Sequence, residues 1–103
     1  MSKVTAVDNS VILSHTGYLD IYGNYHVAGE VQNVGDQAIN FVQVQATFYD
    51  SRNNVIDTRF DLTMLSTIAA GRKSPFLIAL LDPVQSSRVH RYSLDVTFLT
   101  TNP

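Results

Sequence analysis

The sequence predicts a single all-β domain, a sandwich of two antiparallel sheets with about seven strands. Apolar and polar residues alternate with a period of two in one segment after another, whereas helical periodicity is almost absent. The connections between these segments are short and polar, and none has the length of the crossover helix that joins parallel strands. We therefore expect two antiparallel sheets packed face to face.

The alternation places strands in successive segments of the chain. These segments are residues 11–15, 18–22, 25–33, 39–50, 55–62, 76–81 and 91–100. Gly17 is predicted to interrupt the first strand. Gly23 and Asn24 are predicted to form a turn, because both tolerate a positive φ. In the segment 25–33, His26 falls on the polar face, and Asn33 is expected to bond neighbouring backbone groups at the strand end.

The clearest signal is a hairpin in which residues 41–50 and 55–62 flank a polar turn at residues 51–54. We expect Asp50 to accept hydrogen bonds from the amides of this turn. Asp57, Arg59 and Asp61 are predicted to form a solvated outer face. The residues predicted to face the core are Val42, Val44, Ala46, Phe48, Ile56 and Phe60.

The remaining segments complete the predicted domain. Residues 76–81 form a continuous apolar run, which predicts a strand buried on both sides or covered by a loop. Asp82 suits a helix cap and Pro83 a first helical position, so residues 82–88 predict a loop or a single helical turn. We expect residues 1–9 to be a tail, 10–100 the sandwich, and 101–103 the start of a linker.

Composition and charge exclude several classes of function. Seven basic and nine acidic residues are spread along the chain and give a net charge of −2, so no basic stripe is present for nucleic acid or an anionic membrane. The longest apolar runs contain about six residues, against roughly 20 for a membrane span. Met1, Ser2 and Lys3 lead into a polar stretch with no apolar h-region, so we expect no signal peptide in this sequence, which leaves open a cytoplasmic protein or a domain excised from a longer exported one.

The chemistry-bearing residues do not form a recognisable site. The chain has no cysteine, and His15, His26 and His90 stand in no H-x-H or H-x-x-x-H spacing. The segment 50–57 has an arginine, Arg52, where a calcium loop needs an oxygen ligand. We therefore predict no catalytic residues, metal ligands or cofactor, and a protein that is not an enzyme.

Two surfaces are candidates for contact with a partner. Tyr18, Tyr22 and Tyr25 lie close together in sequence, and tyrosine is favoured at binding surfaces because it combines apolar area with a polar tip. The second candidate is a largely uncharged strand face that includes Phe41 and Tyr49. An alternative hypothesis is a small-ligand or metal-binding domain that uses His26 and the tyrosine-rich end.

Three short motifs resemble the FxLYD domain family. They are Val27-Ala-Gly-Glu-Val-Gln-Asn33, Ala46-Thr-Phe-Tyr-Asp50, and Ala70-Gly71 followed by Ser74-Pro-Phe76. Thr47 and Phe48 stand where the family has its Phe and Leu. The resemblance covers about residues 25–98, most of the chain. Read without the family, Gly29 leaves room for a facing aromatic ring or a crossing backbone.

The resemblance implies an immunoglobulin-like sandwich that occurs in exported or envelope-associated proteins of archaea and bacteria and has no characterised activity. The resulting hypothesis is a non-catalytic module that acts in protein–protein contact or as a structural spacer. A protein partner or a sister domain is expected, and formation of a homo-oligomer is left open. Asn33 and Asp50 are interpreted as structural turn residues.

Overall fold

The computed structural model describes residues 3–6 and 11–100, and these form a two-layer β-sandwich. The all-β sandwich predicted from the sequence is therefore confirmed. In the described ranges, the elements are β1 (Lys3–Ala6), β2 (Val11–Leu19), β3 (Tyr25–Asn33), β4 (Ile39–Tyr49), β5 (Val55–Leu62), β6 (Thr67–Ile68), β7 (Lys73–Leu80), α1 (Pro83–Ser86) and β8 (Arg91–Thr100).

The chain passes back and forth between the two sheets. One sheet has the order β1-β8-β4-β5, with the short β6 paired to the start of β4, and the other has the order β2-β3-β7. All pairs are antiparallel except β1 with β8. The chain crosses from the second sheet to the first after β3 and again after β7, so the loops at these crossings join the two layers.

The core lies between the inner faces of the two sheets. Along β4, buried and half-buried residues alternate strictly from Val42 to Tyr49, as the sequence predicts. The inner positions Val42, Val44, Ala46 and Phe48 are all buried. They pack with inner residues of β3, β7 and β8, which are Val27, Val31, Phe76, Ile78, Leu80, Tyr92, Leu94 and Val96.

The prediction that Phe60 faces the core is wrong. Its side chain is 63% exposed and lies opposite Gln45 on the outer face. A β-bulge causes the difference: Tyr49 pairs with Val55 and Phe48 with Asp57, so Ile56 is an extra residue that reverses the alternation beyond it. Ile56 itself packs against the core, as predicted.

The same bulge places the charged residues of β5 on the inner face of their sheet, so their predicted outer position is wrong, while Arg59 and Asp61 are exposed to solvent as predicted. Opposite residues of an antiparallel pair share a face, and Asp57 and Arg59 pair with the buried Phe48 and Ala46. Arg59 Nη2 lies 2.9 Å from Asp57 Oδ2. Because β5 is an edge strand, inward charges at this position disfavour pairing with another sheet.

Two further strand predictions differ from the structure. Gly17 does not interrupt a strand, because β2 continues through it to Leu19. A side chain there would meet the rings of Tyr25 and Tyr92, so the glycine makes room for core aromatics. β7 is not buried on both sides but alternates, with Leu77 exposed on the outer face.

The N-terminal segment adds one strand to the sheet that contains β8. Residues 3–6, within the segment predicted as a tail, pair in parallel with β8 from Ser93 to Val96. The rest of that segment, residues 1–2 and 7–9, lies outside the described residues, as does the predicted linker start at 101–103. Of the two alternatives predicted after Asp82, a loop or a single helical turn, the structure has the helical turn: α1 begins at Pro83, and the Asp82 carboxylate accepts from the amides of Val84 and Gln85.

Ser86 attaches the connection between β7 and β8 to the sheet that contains β3 and β7. Its side chain is 2% exposed. The hydroxyl accepts from the Tyr25 amide at 2.9 Å and donates to the Leu80 carbonyl at 2.9 Å. These partners are the end residues of paired strands, so one hydroxyl ties α1 to both.

We expect Ser86→Ala to lower the free energy of unfolding by about 2 kcal/mol, because two buried backbone groups lose a partner. Urea denaturation measures this. Ser87→Ala is the matched control: its hydroxyl donates to Val84 on the exposed side of the same turn, and its loss should cost less than about 0.5 kcal/mol. Equal costs for the two variants would contradict the assignment.

Gly29 allows the close approach of β2 to β3. A Cβ at this position would collide with the backbone carbonyl of Ser14, which cannot move without shifting the strand. We expect Gly29→Ala to cost about 1–3 kcal/mol of stability, which thermal unfolding would measure. Ala28→Gly on the outer face supplies the control, with a cost of about 0.5–1 kcal/mol from backbone entropy alone.

Candidate functional site

Three loops meet at one end of the sandwich, which we call the loop end. They are the β2–β3 turn at 20–24, the β4–β5 turn at 50–54 and the β7–β8 connection at 81–90. The Tyr25–Leu80 pair brings the first loop beside the third, and a Cβ on Gly23 would touch Pro83. The His90 amide donates to the Tyr49 carbonyl at 2.7 Å, which attaches the third loop to the other sheet.

The two hairpin turns of the loop end have the same construction. In each, an aspartate carboxylate accepts from the amides two and four residues later: Asp20 from Tyr22 and Asn24, and Asp50 from Arg52 and Asn54. Each aspartate amide also donates to the carbonyl of the closing asparagine at 2.9 Å. The sequence signal is an aspartate four residues before an asparagine, with a positive φ at the residue between, Gly23 or Asn53.

These hydrogen bonds stabilise the ionised form of both aspartates. For Asp50, the Asn54 amide is the largest influence that lowers the pKa of the carboxyl group, helped by the Arg52 amide and by Arg88. For Asp20, the bond with His26 comes first, at 2.7 Å, and the two turn amides add to it in lowering the pKa. Both turns are therefore built around a carboxylate.

An exposed apolar surface, which we call the tip, lies on the first and third loops. Its side chains are 55% to 90% exposed and come from the end of β2, the turn after it and the segment around α1. They are Leu19, Ile21, Tyr22, Leu81 and Val84. Of these, only Tyr22 was a predicted contact residue. Of the others, only Val84 lies in a predicted loop or turn, whereas Leu19, Ile21 and Leu81 fall in segments predicted as strands, where a large apolar residue is ordinary.

The structure does not bring the three predicted tyrosines together. Tyr22 lies at the tip, whereas Tyr18 stacks on His26 on the outer face, with ring centroids 5.2 Å apart. Tyr25 faces inward, where it packs edge-on against Phe48 and Tyr92, and burial raises the pKa of its hydroxyl. Adjacent strand positions point to opposite faces, which separates residues that are close in sequence.

Phe41 and Tyr49 lie on the outer face of the β4 sheet, at its two ends. Phe41 is 64% exposed and has a positive φ of 53 at a bulge between β4 and β8. Around it are exposed apolar residues that the sequence did not suggest for this face, Phe60, Leu62 and Leu99. Tyr49 is half-buried, because the guanidinium of Arg91 lies 3.8 Å from its ring centroid.

A polar cleft of about 600 Å³ opens beside the tip, between the second and third loops. Its lining residues are Asp50, Ser51, Arg52, Asn54, Ser87, Arg88, Val89 and His90. Arg88 Nη2 lies 3.5 Å from Asp50 Oδ2 across the cleft. The sequence suggested only Asp50 here, although the run 86–91 carries two arginines and a histidine within six residues.

The histidines have separate surroundings, and the described part of the chain contains no group of three His, Asp or Glu side chains that could hold a metal ion. His15 Nδ1 lies 2.7 Å from the Tyr92 hydroxyl in the sandwich interior. His26 Nε2 bonds Asp20, and His90 is exposed at the cleft.

Among the described residues, no helix has the length and apolarity to cross a membrane.

Asn33 lies at the opposite end of the sandwich, fully buried. Its side-chain amide donates to the carbonyls of Gln37 at 2.7 Å and Ile68 at 2.9 Å, and its Oδ1 accepts from the Gly35 amide. Its backbone bonds Arg72 and Gly71. The residue thus connects β3, the loop after it, β6 and the start of β7.

No family model matches the chain. The chain is 31% identical over 87 residues to an uncharacterised protein of Methanocaldococcus jannaschii, and this alignment covers 82% of the chain. The chain spans 62% of that relative's length.

Solved structures show the same fold at low identity. A DUF1425 family member from Shewanella has a TM-score of 0.60 at 15% identity, covering 93% of this chain and 89% of that chain. A Campylobacter jejuni protein has a TM-score of 0.60 at 13% identity, covering 91% and 95%. The fold also resembles part of a Streptomyces venezuelae β-glucosidase, with a TM-score of 0.53 at 23% identity over 69% of this chain and 10% of that one.

These likenesses define a small immunoglobulin-like β domain. At such identities they show the fold alone. Function must therefore be argued from the residues of the loop end.

The lowered pKa of Asp50 predicts an acid-sensitive turn. A carboxyl group whose pKa is lower in the folded chain contributes stability above its unfolded pKa and loses it as the pH falls through the folded pKa. We expect Asp50→Asn, which keeps an acceptor oxygen, to reduce the drop in melting temperature between pH 6 and pH 3. Asp50→Ala should lower the melting temperature at both pH values.

Circular dichroism melts measure this effect. Asp95→Asn on the exposed face of β8 is the control for removal of one surface carboxylate, and the effect of Asp50→Asn on the pH dependence should exceed it. A pH dependence in Asp50→Asn identical to that of the parent would contradict the prediction.

Proposed function

We propose that the chain is a non-catalytic immunoglobulin-like module of an exported or envelope-associated protein, and that its loop end contacts another protein. The observation that carries this proposal is the tip, where large apolar side chains stand 55% to 90% exposed on two adjoining loops. Single exposed apolar residues are ordinary, but a contiguous cluster marks a site of interaction. Complete burial of each such side chain is worth roughly 1.5–3 kcal/mol.

The loops that carry the tip are held in place before a partner binds. The Asp20 turn is closed by its own amides, Asp82 caps α1, and Ser86 ties α1 to β3 and β7. A preformed surface loses little conformational entropy on binding, which favours affinity. Rigid presentation of apolar side chains is therefore the proposed mechanism.

The charges around the tip are of both signs. Asp20 and Asp82 adjoin the tip residues, and Arg52 and Arg88 line the cleft on its other side. A surface that inserts into anionic lipid is expected to carry basic residues and few carboxylates next to its apolar ones, whereas a protein partner can match charges of both signs. We accordingly propose a protein partner.

The compartment and the family are proposed on the residue pattern. The three motifs that resemble the FxLYD family support membership of it, and with that an exported or envelope location. Fractionation of the native cells with an antibody to the chain tests this part separately. Recovery only in the cytosol would overturn the location without touching the contact surface.

The contact surface is tested with a photo-crosslinking residue at position 22 in the full-length protein in its own cells. We expect a discrete protein adduct from position 22 and none from position 97, which is exposed on the outer face of β8. Ile21→Ser with Leu81→Ser should abolish the adduct, because both remove apolar area from the tip. Phe60→Ser with Leu62→Ser, on the outer face of β5, is the matched control and should leave it intact.

Two results would contradict the proposed contact surface. Equal adducts from positions 22 and 97, or an adduct that survives the tip variants while they remain folded, would contradict it. Sedimentation of the adduct identifies a second copy of the chain when its mass is twice that of the protein. An adduct to lipid would replace the protein partner with a membrane.

A further inference from the structure

We infer that the polar cleft beside the tip binds a side-chain carboxylate of an acidic protein segment whose apolar neighbour covers the tip. This inference rests on the proposed function, since it assigns the chemistry of the same partner. The cleft and the tip share the β7–β8 connection: Val84 in α1 belongs to the tip, and Ser87 to His90 line the cleft. A single extended segment can therefore reach both.

Positive charge is concentrated at this cleft although the chain as a whole is negative. The chain carries seven basic residues and a net charge of −2. Arg52 and Arg88 line the cleft, and Arg91 begins the strand that follows it. An acidic segment would thus meet the basic part of an otherwise acidic surface, which favours both its approach and its orientation.

The one carboxylate in the cleft is already occupied. Asp50 Oδ1 accepts from the amides of Arg52 and Asn54 at 2.9 Å each, and Oδ2 accepts from Asn54 Nδ2. Arg88 approaches Oδ2 only at 3.5 Å, and its side chain is 58% exposed. The Arg88 guanidinium therefore keeps most of its donors for a ligand.

Of the other basic side chains at the cleft, some have no hydrogen-bond partner in the described part of the chain and one is held in place. Among the described residues, no hydrogen bond or ion pair engages the side chain of Arg52 or His90, and both are exposed. Arg91 is anchored, because its Nε donates to Asn53 Oδ1 at 2.9 Å and its guanidinium lies over Tyr49. Arg52 and Arg88 are thus the donors available to a carboxylate, which a guanidinium can bind through two parallel hydrogen bonds.

The probe for this site is the blocked peptide acetyl-Leu-Ile-Glu-Glu-Leu-amide, titrated into the ¹⁵N-labelled chain. We expect amide shifts confined to residues 19–24, 50–54 and 81–91. The matched peptide with glutamines in place of glutamates should bind at least about 5-fold more weakly. Raising the salt concentration should weaken the acidic peptide and not the neutral one, because only the former forms ion pairs.

Substitutions assign the donors. Arg52→Ala and Arg88→Ala should each raise the Kd of the acidic peptide about 3- to 10-fold, and Arg52→Lys should restore part of it because the charge remains. Arg72→Ala is the matched control, since Arg72 is exposed in the loop before β7 at the opposite end of the sandwich, and it should leave the Kd unchanged. Amide spectra of each variant establish that it remains folded.

Other occupants are outcomes that overturn the inference. Inorganic phosphate that shifts the cleft residues as tightly as the peptide would make this a site for small anions. Binding to phosphatidylglycerol vesicles that depends on Arg52 and Arg88 would make it a lipid headgroup site. Absence of shifts with the acidic peptide, or shifts unaffected by Arg52→Ala and Arg88→Ala, would also overturn it.

The two proposals fail in different ways. A protein adduct from position 22, together with acidic-peptide shifts that are unaffected by Arg52→Ala and Arg88→Ala, overturns the carboxylate site and leaves the contact surface standing. Shifts with the acidic peptide, together with no adduct from position 22, overturn the contact surface instead.

Discussion

The hydroxyl of Ser86 is the interaction on which the arrangement of the loop end depends. The chain leaves β7 in one sheet and must reach β8 in the other, and the backbone hydrogen bonds from Ser86 to Asp82 and from Ser87 to Pro83 form only within this connection. Ser86 attaches the connection to the sheet of β3 and β7 by bonding the Tyr25 amide and the Leu80 carbonyl, and the His90 amide attaches the far end to Tyr49. The segment between these anchors carries residues of both the tip and the cleft.

The two aspartate-closed turns extend this constraint to the hairpins. Each turn uses one carboxylate to hold amides two and four residues ahead, so each loop is closed by hydrogen bonds of its own. In the Asp50 turn this has a chemical consequence. The Asp50 carboxylate already accepts hydrogen bonds from the turn, so the arginines around it set the charge that the cleft presents to a ligand.

The two halves of the central hairpin show how far sequence patterns reach. The inward positions of β4, from Val42 to Phe48, followed directly from alternation, because β4 lies between two neighbours and one face must be buried. The same rule failed at Phe60, because one bulge at Ile56 reverses every later position. A bulge at that position depends on the pairing with β4, which the pattern of β5 alone does not contain.

By itself, the sequence determined the fold class, the position of most strands, the cap of α1 and the polar turns, since these depend on local periodicity and turn chemistry. Only the tertiary structure decided which residues meet. It separated Tyr25 from Tyr18 and Tyr22 and set the β2–β3 turn, with Tyr22, beside the β7–β8 connection, with Val84. It also brought Arg52 beside Arg88 at the cleft. These pairs are far apart in the chain, and strand order and register bring them together, which no local pattern records.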